Sequence, residues 1–147
     1  MRRALVLAAA GIAAAVTTAA AYAVDDRGDG PGDRALGPGE VTVEMGIEHS
    51  RFSVSRLEVR AGSVVRFVVR NTDPVAHELI VGEADVHRRH ASGTEAVHPP
   101  VPGEVSVGPD ETASTVYAFD EPGTVVFACH LPGHLAYGME GEIVVID

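Results

Sequence analysis

Val65, Phe67 and Val69 stand at alternate positions with Arg66 and Arg70 between and after them, and short stretches of this kind recur along the chain. Alternation of this period sends successive side chains to opposite faces of a strand. Val41, Val43 and Met45 alternate with polar neighbours, and Leu57–Arg60 forms a short segment closed by Ala61-Gly62. Within Val75–Val81, the residues Val75, His77, Leu79 and Val81 share one face. Val105–Val107, Thr112–Phe119, Thr124–Cys129 and Glu142–Ile146 complete the series. Asn71-Thr72-Asp73-Pro74, Gly108-Pro109-Asp110 and Glu121-Pro122-Gly123 supply turns between them. Seven to eight short strands at this spacing predict an all-β chain, an antiparallel β-sandwich with Greek-key connections. Residues 83–104 interrupt it with His87, His90, His98, Arg88-Arg89 and three prolines. That stretch reads as a long loop excursion in which Ala84–Ala91 can make a short helical turn.

The N-terminus has a different character. Arg2 and Arg3 precede an apolar run from Ala4 that ends at Ala21-Tyr22-Ala23. A basic start, an apolar stretch and an A-x-A site together predict a secretory signal peptide over residues 1–23, cleaved after Ala23. Retained instead of cleaved, the same segment would act as a membrane anchor. Residues 24–39 are rich in Gly, Pro and charge and predict a disordered linker, with a folded domain over 40–147.

Lysine is absent and the formal charge is −10, which becomes −12 once Arg2 and Arg3 leave with the signal peptide. So acidic a domain excludes binding to nucleic acid through its phosphates. Its field favours a positively charged partner and keeps a monomer soluble.

Exported proteins usually carry cysteines in pairs, because their compartment permits disulfides. Here Cys129 is the single cysteine, which directs attention to a metal-bound or reactive thiol. It opens the stretch Ala128-Cys129-His130-Leu131-Pro132-Gly133-His134-Leu135-Ala136-Tyr137-Gly138-Met139. Cys129, His134 and Met139 offer a thiolate, an imidazole and a thioether at five-residue steps, with Pro132-Gly133 and Gly138 to turn the backbone. A His2Cys set with a weak axial Met is the donor pattern of an electron-transfer copper centre. His77, on the inward face of a strand beside Leu79 and Val81, is the best candidate for the second histidine. Zinc would use the Cys and His groups, but Met139 would then be an odd donor.

The loop CHLPGHLAYGMEGEIVV and the upstream NTDPVAHELIVG resemble the cupredoxins, the small blue type 1 copper proteins. The C-x4-H-x4-M spacing is similar to that of rusticyanin and auracyanin, and the likeness covers about Val41 to Asp147. It implies a cupredoxin sandwich holding one copper, with His77, Cys129 and His134 as equatorial ligands and Met139 as the long axial one. It also implies a backbone amide from residue 78 at the cysteine sulfur. Glu78 departs from the Asn or Ser common there, and brings a carboxylate near the centre.

By the same likeness, His134 would be the electron's exit. Leu131, Leu135, Ala136 and Tyr137 would rim it, so a redox protein would dock near His134, Leu135, Ala136 and Tyr137. His130 points away from Cys129 by strand alternation and is expected at the solvent. The flanking histidine and the His-x-His pairs of a multicopper oxidase are missing. His87, His90 and His98 offer a second, weaker copper site, against the plainer expectation of a solvated loop; His49 is expected to be solvated. The sequence thus predicts an exported, non-enzymatic, mononuclear blue copper protein passing single electrons between redox partners. A copper-binding module for tolerance, storage or delivery is the alternative. The expected location is periplasmic, extracellular or cell-surface.

Overall fold

A computed structural model describes residues 21–22, 35–93 and 99–147. The expected signal peptide and linker therefore lie largely outside the described residues, as does His98. The elements in order are β1 (Ala21–Tyr22), β2 (Gly39–Glu48), β3 (Arg51–Phe52), β4 (Arg56–Arg60), β5 (Ser63–Asn71) and β6 (His77–Gly82). They are followed by α1 (Ala84–Ala91), β7 (Glu104–Val107), β8 (Thr112–Phe119), β9 (Gly123–Ala128) and β10 (Glu140–Ile146). A single 3-10 turn, Leu135–Tyr137, lies between the last two strands. Among the described residues no helix is long and apolar enough to cross a membrane.

Two sheets face each other. One has the order β1-β2-β5-β8 with β3 paired to β2, and the other β4-β10-β9-β6-β7. The fold is thus the expected β-sandwich, but its sheets are mixed rather than antiparallel. β2 runs parallel to β5, and β4 parallel to β10. The chain leaves the first sheet after β3, contributes β4 to the second and returns as β5, so β5 arrives running the same way as β2. Alternation reports faces and not direction, so this was invisible in the pattern.

The core follows the alternation closely. Val43, Met45 and Ile47 of β2 and Val65, Phe67 and Val69 of β5 are buried against Leu79, Val81, Val105, Val107, Phe127, Ile143 and Val145. Phe67 is fully buried in a central strand. Phe67→Ala is expected to destabilise the domain by about 3–5 kcal/mol, through lost burial and the cavity left behind. Urea unfolding with an unchanged slope would read it.

Three boundaries differ from expectation. Backbone pairing begins ahead of Glu40: Leu36 bridges Val59, and Gly39 opens β2. Val75 is 47% exposed and outside the strand, which starts at His77. Its carbonyl accepts from Asn71 Nδ2 at 2.7 Å instead of joining a ladder. The excursion is also more ordered than a loop, since α1 is a full eight-residue helix. It lies close over β6, where a Cβ on Gly82 would meet Val86 at 3.1 Å. All six β6 residues are buried, so both faces of that strand are covered.

Candidate metal centre

His77 opens β6, and Cys129 follows the last residue of β9, its antiparallel neighbour in the same sheet. That adjacency brings together residues 52 positions apart. After Cys129 the chain turns through Pro132-Gly133, and Gly138, at φ 82°, adopts the left-handed conformation that ends the 3-10 turn. The Met139 amide donates to the His134 carbonyl at 3.2 Å, and the Cys129 amide donates to the Met139 carbonyl at 3.0 Å. The loop is therefore closed on itself, and Met139 is fully buried.

One ligand atom each from His77, Cys129 and His134 lies within 4.8 Å of the others. The two imidazole rings have centroids 4.7 Å apart, and the Cys129 thiol donates to His134 Nδ1 at 3.2 Å. His77 Nε2 donates to Asp73 Oδ2 at 3.0 Å, which leaves Nδ1 as the nitrogen with a lone pair. That Nδ1 is buried and has no hydrogen-bond partner. A buried acceptor without a partner is costly, and a metal ion beside Cys129 would satisfy it. The donors are soft or borderline, which fits copper.

Asp73 carries no sequence signal beyond its place in a turn, although it stands four residues before His77. Its carboxylate accepts from the amides of His49 and Ser50, both at 2.7 Å, as well as from His77. Both amides come from a left-handed turn, with φ of 53° and 54°. Burial alone would raise this carboxyl, but the Ser50 and His49 amides and the His77 ring outweigh it and hold it below its ordinary value. Asn71 secures the same loop by accepting from the Asp73 amide at 2.9 Å and donating to the Gly108 carbonyl at 2.9 Å. Carboxylates that orient a metal-binding histidine in this way fix its tautomer and strengthen it as a ligand.

The Cys129 sulfur receives the backbone amides of Glu78 and Leu131, so the amide expected from residue 78 is in place despite the Glu side chain. Burial nevertheless pushes the thiol up to about 11, with the Glu78 carboxylate adding to the rise. His134 is held below its ordinary value, by burial first and then by His77, against an opposing pull from Asp73. At neutral pH the metal-free thiol thus carries its proton and the His134 ring does not. Copper uptake is expected to release one proton, from Cys129. Below pH 11 the proton competes for the thiolate, so apparent affinity falls about tenfold per unit of acidification. Calorimetry in buffers of different ionisation enthalpy checks the count.

His134 is half-buried, Leu135 and Tyr137 are 39% and 71% exposed, and Leu131 packs instead against the core. His49 has an exposed side chain, and only its amide serves the site. His130 departs from expectation, being half-buried rather than solvated. Its amide donates to Glu78 Oε1 at 2.8 Å, and its ring packs against His87 and His90 of α1. Burial, then the nearby His87 and His90, hold it below its ordinary value. The helix folding back over β6 and β9 causes this, and strand alternation could not anticipate it.

The model of the copper-binding proteins of the plastocyanin/azurin family matches residues 39–146. The chain belongs to this family, the cupredoxins. It is 35% identical to the copper-resistant cuproprotein CopI of Rubrivivax gelatinosus, over 78% of this chain and 71% of that protein. Among solved structures it is similar to reduced auracyanin of Roseiflexus castenholzii, at 22% identity and a TM-score of 0.60, covering 72% of this chain and 97% of the other. Auracyanin A of Chloroflexus aurantiacus, a "blue" copper protein, is 27% identical with a TM-score of 0.57, covering 72% of this chain and 98% of the other. Copper is therefore the metal of this cupredoxin.

Proposed function

We propose that this cupredoxin is an exported copper-tolerance protein that holds one copper through His77, Cys129, His134 and Met139. The observation that carries the tolerance reading is the extended likeness to a protein named for copper resistance. The geometry supports the ligand assignment. Asp73 aims His77, the loop closes through the Cys129 and Met139 backbone, and Cys129 and Met139 are withheld from water. Copper in such a site cycles between Cu(II) and Cu(I). The chain's part is to keep the donor set the same in both states, which sandwich and closed loop favour. The protein binds its ion and turns over no substrate. It works as a monomer outside the cytoplasm, after residues 1–23 are removed.

Single-electron transfer is the second reading. It is favoured by the half-buried His134 beside exposed Leu135, Ala136 and Tyr137, an apolar rim suited to a redox partner. Growth of a copper-sensitive exporting host under rising copper separates the two. Protection by the natural chain and none by Cys129→Ser supports tolerance. No protection, together with reversible bleaching and recovery of a blue band by a redox protein, supports electron transfer.

A further inference from the structure

Three histidines and two carboxylates gather on the outer face of the β6–β9 sheet, on the opposite side of that sheet from the core. α1 supplies His87 and His90, which share a helical face at a spacing of three. His130 comes from the chain just after β9, and Glu78 and Glu104 come from β6 and β7. Side chains of His90, Glu78 and Glu104 are only 8%, 2% and 13% exposed. Carboxylates are rarely buried unless paired, and both of these face His90.

The hydrogen bonding decides which nitrogens face inward. His87 Nε2 donates to the carbonyls of Gly82 and Val126 at 3.1 and 3.2 Å. Its Nδ1 is therefore the lone-pair nitrogen, and it accepts a hydrogen bond from His130 Nε2 at 2.8 Å, so an ion binding between the two rings would take the place of that proton. Two ligand nitrogens, each about 2.0–2.1 Å from one ion and at right angles about it, would be about 2.9 Å apart. His90 Nε2 lies 2.9 Å from Glu104 Oε2, and Arg89 also pairs with Glu104. Burial alone would raise the Glu104 carboxyl, but His90 and Arg89 hold it below its ordinary value. The other His90 nitrogen, Nδ1, lies 3.8 Å from Glu78 Oε2, and the His90 ring is 6.1 Å from that of His130. Carbonyls behind His87 and a carboxylate behind His90 are the outer partners that metal-binding histidines use.

We propose that His87, His90 and His130, with the Glu78 carboxylate beside them, form a second metal site that takes Cu(II). His87 Nδ1 and His130 Nε2 stand at the spacing of adjacent ligands, and His90 joins by turning its ring toward them. Imidazole and carboxylate donors suit a divalent first-row ion, and among these Cu(II) binds most tightly. The site lacks thiolate, and its ion would show no intense visible band. It is joined to the first centre through the Cys129–His130 peptide bond. It goes beyond the function proposed above and depends on neither of its readings.

The test is a Cu(II) titration of the metal-free full chain, followed by calorimetry, visible absorption and EPR. Two equivalents are expected, of which one produces the thiolate band and the other a separate, weakly coloured EPR signal. His87→Ala and His90→Ala, tested separately, should each weaken the second equivalent at least about tenfold while leaving the thiolate band intact. Zn(II) added to the Cys129→Ser chain, read by imidazole 15N NMR, should shift the His87 and His130 ring nitrogens. That readout holds even if no blue band forms, so failure of the first centre is distinguishable from failure of the second. A chain that binds one equivalent, one that keeps the second at full affinity in both variants, or one that loses it only on His98→Ala overturns the site.

Discussion

Cys129→Ser is expected to abolish the intense visible absorption of the copper-loaded cupredoxin and to lower its copper affinity by more than about a hundredfold. Replacing an outer partner of a metal site typically costs 10–100-fold, and Cys129 is proposed as a ligand itself. The band needs a thiolate, and a serine hydroxyl supplies neither the charge nor the soft donor that favours Cu(I). Cys129 is fully buried beside Phe127 and Met139, so the variant also places a hydroxyl in the core. That costs about 1–3 kcal/mol if the hydroxyl finds no partner, which circular dichroism and urea unfolding would report. His134→Ala is the companion variant, because His134 is half-buried and leaves the core intact. Both folded variants should lose the blue band. A band that survives Cys129→Ser would remove Cys129 from the ligand set.

The second large effect is expected at Asp73, which touches no metal. Asp73→Asn keeps the shape but removes the charge behind His77, and an amide cannot accept from His77, His49 and Ser50 as a two-oxygen carboxylate does. Copper affinity should fall by about 10–100-fold. The reduction potential should rise, because a negative charge behind a ligand favours Cu(II) over Cu(I). A potentiometric titration reads the direction. Asp73→Ala should show the same shift and a larger loss of stability, since two turn amides lose their acceptor. Unchanged potential and affinity in both variants would show that Asp73 serves only to pin the turn at His49-Ser50.

The two residues differ in how visible they were before folding. Cys129, His134 and Met139 lie in one loop, where spacing alone brings a thiol, an imidazole and a thioether together. His77 was legible as an inward-facing histidine in an apolar strand, which nominates a site without showing what it meets. Asp73 carries no such mark, because Asp in an Asn-Thr-Asp-Pro stretch reads as a turn. It is indeed in the turn, and orients the histidine as well.

Local chemistry thus determined most of the strands, the buried faces of β2 and β5, and the donor loop. These depend on period-two alternation and on residues near in sequence, which can be read without knowing any strand's partner. The tertiary structure alone decided three things. The return of β5 alongside β2 made the sheets mixed. The pairing of β6 with β9 set His77 against Cys129. The packing of α1 over that pair turned His130 from an expected solvent-facing residue into a neighbour of His87 and His90. Each is a contact between segments far apart in the chain, made because a buried face needs a cover. A sequence shows which faces need covering, and only the assembled sheets show what covers them.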